Sequence, residues 1–409
     1  MQFKTFAPLL AAATAAQATS ILVASYDGAV TTFELTEKNG NFTLEETSVS
    51  NDCAPSPSWL TIDASRGEVY CLNEGLETLN GSISSFTVSR DGSLTHVQNT
   101  TVISGPVSGV FYGEPAGKRG LVVAHYSGSA VSSWDLLGGA KFSLNQNLPY
   151  TLAKPGVVPS RQEAPHEHEA ITDPTGQYVV VPDLGADLVR IYSWDEETLD
   201  LKALSPLKAT PGTGPRHAVF WNPYGVACEG CTTYFYLVGE LAADVTGYKV
   251  TYKRNGGGLS FKKIYHSSTY GYFNAPESNA PAEIVISPDN RFLTISNRND
   301  SSFSVPNINP SNSTAEVSDA ISTFKLNQDG TLTFSQLAPA YGPFPRHISY
   351  NAIGDLVGVG LQNSNEVAIL KRDTLTGNIG EAVARAQLGG MVTNVVFLEE
   401  KALGGKLGG

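Results

Sequence analysis

The stretch EIVISPDNRFLTISNRN (283–299) holds one full unit of the pattern that decides the fold. An apolar run, EIVISP (283–288), reaches a turn and is followed by a second run, FLTISNRN (292–299), that ends in polar side chains. Both runs are short, β-branched and bounded by turn residues, so they read as a pair of antiparallel strands. Matching first strands stand at SWLTID (58–63), SGVFYG (108–113), HEAITD (168–173), HAVFWN (217–222), HISYNA (347–352) and NVVFLE (394–399). Matching second strands stand at ILVASYDG (21–28), GEVYCLNEG (67–75), LVVAHYSG (121–128), YVVVPDLG (178–185), YFYLVGEL (234–241) and LVGVGLQNS (356–364). The units recur at roughly 45 to 65 residues, the spacing of a four-stranded propeller blade with loop insertions.

The two chain ends complete the count. ILVASYDG has no first strand before it, and NVVFLE has no second strand after it. Pairing them in one blade closes a ring and removes the open sheet edges. The expectation is an all-β chain with a single seven-bladed propeller domain; a ring of six or eight blades would require one unit to be miscounted. The polar stretch DSSFSVPNINPSNSTAEVSDA (300–320) reads as a surface insertion between the second and third strands of its blade.

Composition fits this reading. The 409 residues are 41% hydrophobic and 16% charged, with 40 Gly and 23 Pro, enough apolar content for a large core and too much for a disordered chain. The 27 Lys and Arg stand against 39 Asp and Glu, a net charge of -12 that argues against a nucleic-acid partner. The opening MQFKTFAPLLAAATAAQATS (1–20) has a positive start, an apolar run and a small-x-small site at Ala16-Gln17-Ala18, the pattern of a secretory signal. The leader is placed at 1–18 and the propeller at 19–409. The remaining sequence has no run long enough to span a membrane, and its tail lacks a lipid-anchor signal. A secreted, extracellular protein with no membrane partner is expected.

Five N-x-S/T sequons, at Asn41, Asn80, Asn99, Asn299 and Asn312, make it a candidate glycoprotein. The four cysteines suit an oxidising compartment. Cys53 precedes the first strand of its blade and Cys71 lies near the end of the second, so the two can approach and form a disulfide. Cys228 and Cys231, in CEGC, read as a small structural disulfide, because a hairpin offers no helix N-terminus for redox chemistry.

In an antiparallel blade the start of the first strand and the end of the second share one edge, so both open on the same face of the disk near the channel. His166, His168, Arg216, His217, Glu283, Arg346 and His347 stand at such starts. Asn73, His125, Asp183, Glu240, Arg298 and Gln362 stand at such ends. Converging polar groups in a concave place mark a ligand site. His166 and His168 of PHEHEA (165–170) fall on one side of an extended segment. The pair could ligate a metal, but the neighbouring blades supply Arg, and no metal or other cofactor is expected. His168 suits proton transfer. His166 is assigned to substrate binding, with anchoring to a backbone carbonyl as its alternative. The duplicated entries GPRH (214–217) and FPRH (344–347) place Arg216 and Arg346 where guanidinium can grip an anion. Glu240 ends an apolar strand and needs a cationic partner, for which Arg216 is placed. His217, His347 and Gln362 complete the substrate-binding set.

The motifs PHEH (165–168) with VPDLGADLVRIY (181–192), GPRH (214–217), GEL (239–241), SPDNRFLTISNR (287–298), and PRH (345–347) with GLQNSN (360–365) resemble the seven-bladed-propeller lactonase family across nearly the whole chain. That family includes propeller-type 6-phosphogluconolactonase and the fungal 3-carboxy-cis,cis-muconate lactonizing enzyme. The resemblance implies a catalytic set of His168, Arg216, Glu240 and Arg298. It implies a metal-independent lactonase acting on a small sugar-acid or carboxylated lactone, or the related cyclisation of an unsaturated carboxylic acid. In either, the arginines would hold an anion and stabilise an oxyanion, while Glu240 or His168 would activate water. The alternative is a secreted, non-catalytic propeller that binds a glycan or a protein at the same mouth.

Overall fold

The computed structural model describes residues 17–113, 117–225, 230–254 and 256–399. The chain forms seven four-stranded antiparallel sheets. Numbered around the ring from the chain ends, their innermost strands are Val392–Phe397, Pro57–Asp63, Pro106–Gly113, Ile171–Thr172, Pro215–Trp221, Ile284–Ile286 and Pro345–Tyr350. In blade one the C-terminal Val392–Phe397 pairs with Gln17–Ser25, bringing Ile21 opposite Phe397 and Val23 opposite Val395. The ring is therefore closed by the two chain ends, as the unmatched runs require.

Each second strand is buried on both faces, and this explains the unbroken apolar runs of the sequence. In Thr233–Gly239, Tyr234, Tyr236 and Val238 pack toward blade six. The alternate residues Phe235 and Leu237 pack toward blade four. A period of two thus serves two interfaces at once. The core is a circle of such inter-blade clusters. Ile21, Val23, Phe33 and Leu35 meet Val367 and Ile369 across the closure between blades one and seven.

Two elements differ from expectation. The first strand of blade four is expected over 168–173, but only Ile171–Thr172 is regular strand. Pro182 lies opposite and has no N–H to return, so the His168 N–H donates to the Pro182 carbonyl at 2.9 Å without the reciprocal bond. Residues 300–320 are not a plain loop: Phe303–Val305 and Glu316–Ser318 form a two-stranded hairpin between the second and third strands of blade six.

Cys53 and Cys71 are joined by a disulfide. Cys231 is disulfide-bonded; its expected partner Cys228 lies outside the described residues. The expected leader also lies outside them through residue 16, and Gln17–Ser25 is already strand. All five sequon asparagines are exposed.

Candidate active site

A repeated irregularity in the inner strands builds the site. In blades five and seven the register with the second strand slips between Pro215 and Ala218 and between Pro345 and His347. In a regular strand neighbouring side chains point to opposite faces; a bulge re-aims them. Arg216 and His217 therefore line the same small axial cavity, as do Arg346 and His347, together with Ser58, Trp59, His168 and Glu283. Gly214 precedes this bulge with φ 62, and a Cβ there would run into Leu241.

Glu240 is the electrostatic centre. Its backbone N–H donates to Gly214 O at 2.9 Å, which holds it beside the start of the inner strand. Its Oε2 lies 2.9 Å from Arg216 Nε and 2.9 Å from Arg298 Nη2. Its Oε1 accepts from Arg161 Nη2 at 2.6 Å. Burial works to raise the Glu240 pKa, but Arg298, Arg216 and Arg161 outweigh it and bring it to about 2. A carboxylate so held is a weak base. Its chemistry is to position three guanidiniums.

Arg298 is fixed by a second bond, Nε donating to Ala280 O at 2.8 Å, and stands over the Phe344 ring at 4.9 Å. Burial and the nearby Arg298 push the Arg216 pKa down to about 9, which still leaves it charged at neutral pH. Arg346 donates to Tyr26 Oη at 2.7 Å and reaches Glu74 at 3.4 Å.

His168 differs from these. Its Nδ1 is buried with no hydrogen-bond partner. Its ring meets His217 edge-on at 5.1 Å and Tyr126 at 5.4 Å. Burial first, then Arg216, His217 and Arg346, hold its pKa well below the usual histidine value, so at neutral pH it is an uncharged imidazole with a free position for a proton.

His217 and His347 flank a pair of acids. His217 Nδ1 is 2.9 Å from Glu283 Oε1 and 3.6 Å from Glu169 Oε1. His347 Nε2 is 3.5 Å from Glu283 Oε2. Burial works to raise the Glu283 pKa, but His217 and His347 bring it to about 2, whereas burial and the Glu283 charge push Glu169 well above the usual range. Trp59 packs edge-on against both imidazoles, at 5.8 and 5.2 Å.

His168, Arg216, Glu240 and Arg298 are thus joined: His168 and Arg216 line one cavity, and Glu240 links Arg216 to Arg298 behind it. His166 does not join them: its Nδ1 bonds Tyr126 O at 2.9 Å, its Nε2 bonds Glu163 at 3.0 Å, and its ring stacks on Tyr126 at 4.3 Å. It is an anchor. Gln362 is half-buried at the rim, its amide 3.9 Å from Met391 Sδ. The wet mouth implied by strand-end placement is closed: Arg216, Glu240, His168 and Arg298 are 2%, 5%, 7% and 7% exposed. The connection between blades three and four covers it, tied down by Gln162, whose amide donates to Leu184 O at 3.0 Å. Arg161 on this connection, Glu169, Trp59 and Tyr126 are not among the site candidates read from the sequence, although Glu169 follows PHEH directly and Arg161 stands four residues before its Pro165.

The family model described as "Lactonase, 7-bladed beta-propeller" matches residues 20–397. The chain belongs to this lactonase family. It is similar to the "Probable 6-phosphogluconolactonase" of Arthroderma benhamiae, 27% identical over 359 residues that cover 87% of this chain and 83% of the relative. It is also similar to the 6-phosphogluconolactonase of Formosa agariphila, 26% identical over 353 residues covering 85% and 89%. Among solved structures, the periplasmic gluconolactonase of Pseudomonas aeruginosa superposes with a TM-score of 0.74 at 21% identity, over 93% of this chain and 99% of that one. That likeness is one of fold.

Proposed function

We propose that the protein hydrolyses a small lactone carrying an anionic or polyhydroxylated group, with the cradle of Arg216, Arg298 and Arg161 as its anion site and His168 as its proton carrier. The observation that carries this reading is the contrast inside the site. Three guanidiniums share one carboxylate, while of the three imidazoles lining the adjoining cavity only that of His168 has an unpartnered Nδ1. His168 Nδ1 takes a proton from water as the oxygen attacks the lactone carbonyl. The carbonyl oxygen becomes an oxyanion beside Arg216 and Arg298, the ring C–O bond breaks, and the alkoxide receives the proton back from His168. Lactone and water become a hydroxy acid, and charge-assisted donors aimed at an oxyanion supply the stabilisation. Glu240 holds the guanidiniums and gives way in part to the incoming anion. The same parts suit a related but distinct reaction, in which a carboxylate oxygen of an unsaturated acid adds across its C=C bond and the adjacent carbon takes up a proton, closing a lactone without water.

Export belongs to the same proposal. The leader pattern at 1–18, the exposed sequon asparagines and the disulfide between Cys53 and Cys71 support it. The test is incubation of the purified chain with a panel of aldonolactones, phosphorylated aldonolactones and muconates, followed by NMR. Ring opening of an anionic lactone is expected. A chain that turns over none of them but retains a glycan or a protein would favour the non-catalytic alternative.

A further inference from the structure

The cluster of Glu169, His217 and Glu283 on the channel axis is not used by the chemistry above. One carboxylate oxygen each from Glu169 and Glu283 and one ring nitrogen of His217 lie within 4.8 Å of one another, and all three residues are buried. We propose that this cluster is a binding site for one divalent cation such as Mn2+ or Zn2+, held by two carboxylates and one imidazole from blades four, five and six.

Four observations support it. The distances suit ligands around one ion: His217 Nδ1 is 2.9 Å from Glu283 Oε1 and 3.6 Å from Glu169 Oε1. Ligand bonds of about 2.0–2.2 Å to N and O donors span such gaps. The carboxylates are braced by backbone N–H groups, as metal ligands usually are. The Ala218 N–H donates to Glu169 Oε2 at 2.7 Å, and the Ile284 N–H donates to Glu283 Oε1 at 3.1 Å. His347 Nδ1 accepts from the Val395 N–H at 3.3 Å, so its proton sits on Nε2, which stands 3.5 Å from Glu283 Oε2 without a hydrogen bond to it. His347 is therefore not a ligand. Next, Glu283 Oε2 is buried with no hydrogen-bond partner, as is His168 Nδ1 in the same cavity. Two buried carboxylates facing one another with an unfilled acceptor need positive charge between them. Finally, Arg216 lies near, but its ion pair is with Glu240 at 2.9 Å, and among the described residues neither Glu169 nor Glu283 pairs with a guanidinium.

In the sequence, the histidines that suggest a metal are the His166/His168 pair. The structure places His166 on Tyr126 and Glu163, and the convergence of acids on His217 comes from three blades that no local motif connects. A mixed carboxylate–imidazole set favours Mn2+ or Zn2+ over the softer ions that prefer thiolate. The alternative occupant of the gap is a proton shared by Glu169 and Glu283.

The experiment is metal binding by the full chain, without substrate, so that it fails or succeeds independently of the lactonase reading. Chelator-stripped protein is titrated with Mn2+ while free ion is followed by electron paramagnetic resonance, and Zn2+ is measured by elemental analysis after dialysis. The expected result is about one equivalent bound, with nitrogen coupling from one imidazole in the Mn2+ spectrum, and affinity weakened roughly 100-fold or more in Glu169→Gln and Glu283→Gln. The wild-type titration is decisive even if a variant does not fold. No retained ion, which leaves the shared proton, would overturn the proposal, as would bound Mn2+ without nitrogen coupling or binding unchanged in both variants.

Discussion

Replacing Glu240 with Gln removes the carboxylate charge that three guanidiniums face. The size of the effect follows from the site. The surroundings move the Glu240 pKa from 4.5 to about 2, and at about 1.4 kcal/mol per unit this is on the order of 3 kcal/mol. Removing one partner from a buried pair costs about 3–5 kcal/mol, which agrees. Arg216 and Arg298 carry most of it, because their side chains are 2% and 9% exposed. Arg161 is 41% exposed and adds little through solvent. The sign is that of a depressed carboxylate: the stabilisation is complete above the unfolded pKa and is lost as pH falls through the folded one. Glu240→Gln should therefore lose about 3 kcal/mol at pH 7, and the gap to wild type should shrink to about 1 kcal/mol at pH 3. Urea unfolding with equal slopes measures both values, and at about 2.1 cal/mol/K per residue the melting temperature should fall by about 4 °C at neutral pH. Phosphate or gluconate should restore part of the loss by occupying the vacated cradle. An unchanged midpoint at pH 7, or a gap independent of pH, would refute the cradle as described.

Further predictions concern other parts of the molecule. Arg298→Ala should lower kcat on the responsive lactone by about 10²–10³, with Arg298→Lys recovering part of it, as steady-state kinetics will read. Because Arg298 also bonds Glu240 and Ala280, the same variant should unfold at lower urea than wild type. The double variant Cys53→Ser/Cys71→Ser should lose about 3 kcal/mol of stability through the freed loop, measured against the oxidised chain. Secreted material should carry an N-terminus near Thr19 and lose mass on enzymatic removal of N-glycans; a full-length, unmodified chain would count against export.

The ring was legible because its signal is repeated and local. ILVASYDG and NVVFLE each lack a partner run, and only one closure supplies both. The short first strand of blade four was not legible: HEAITD looks like a strand by itself, and only the position of Pro182 across the ladder removes its bonds. At the site, strand-end placement included His168, Arg216, Glu240 and Arg298 among its candidates, because the ends of a blade are fixed by topology, and the family resemblance singled out the four. It could not find Arg161, which reaches Glu240 from a connection with no periodicity to align it. It gave His168 the proton and left His166 between substrate binding and anchoring to a backbone carbonyl, and the bond to Tyr126 O decides for the anchor. Both alternate onto one side, and the difference lies in what each meets: a carbonyl and a carboxylate for His166, nothing for the Nδ1 of His168. The burial of the four residues was missed for the same reason, since the cover is that irregular connection.

The central claim is that His168 transfers the proton while the arginine cradle holds the anion. The most direct measurement is the pH dependence of kcat/KM for wild type and His168→Gln on the lactone that the panel identifies. Because burial and neighbouring cations hold His168 well below pKa 6.5, the wild-type rate should stay level from neutrality into mild acid and fall only below that value. His168→Gln should be slower by about 10²–10⁴ and should lack that acidic limb. A folded His168→Gln enzyme with wild-type rate and the same limb would contradict the account.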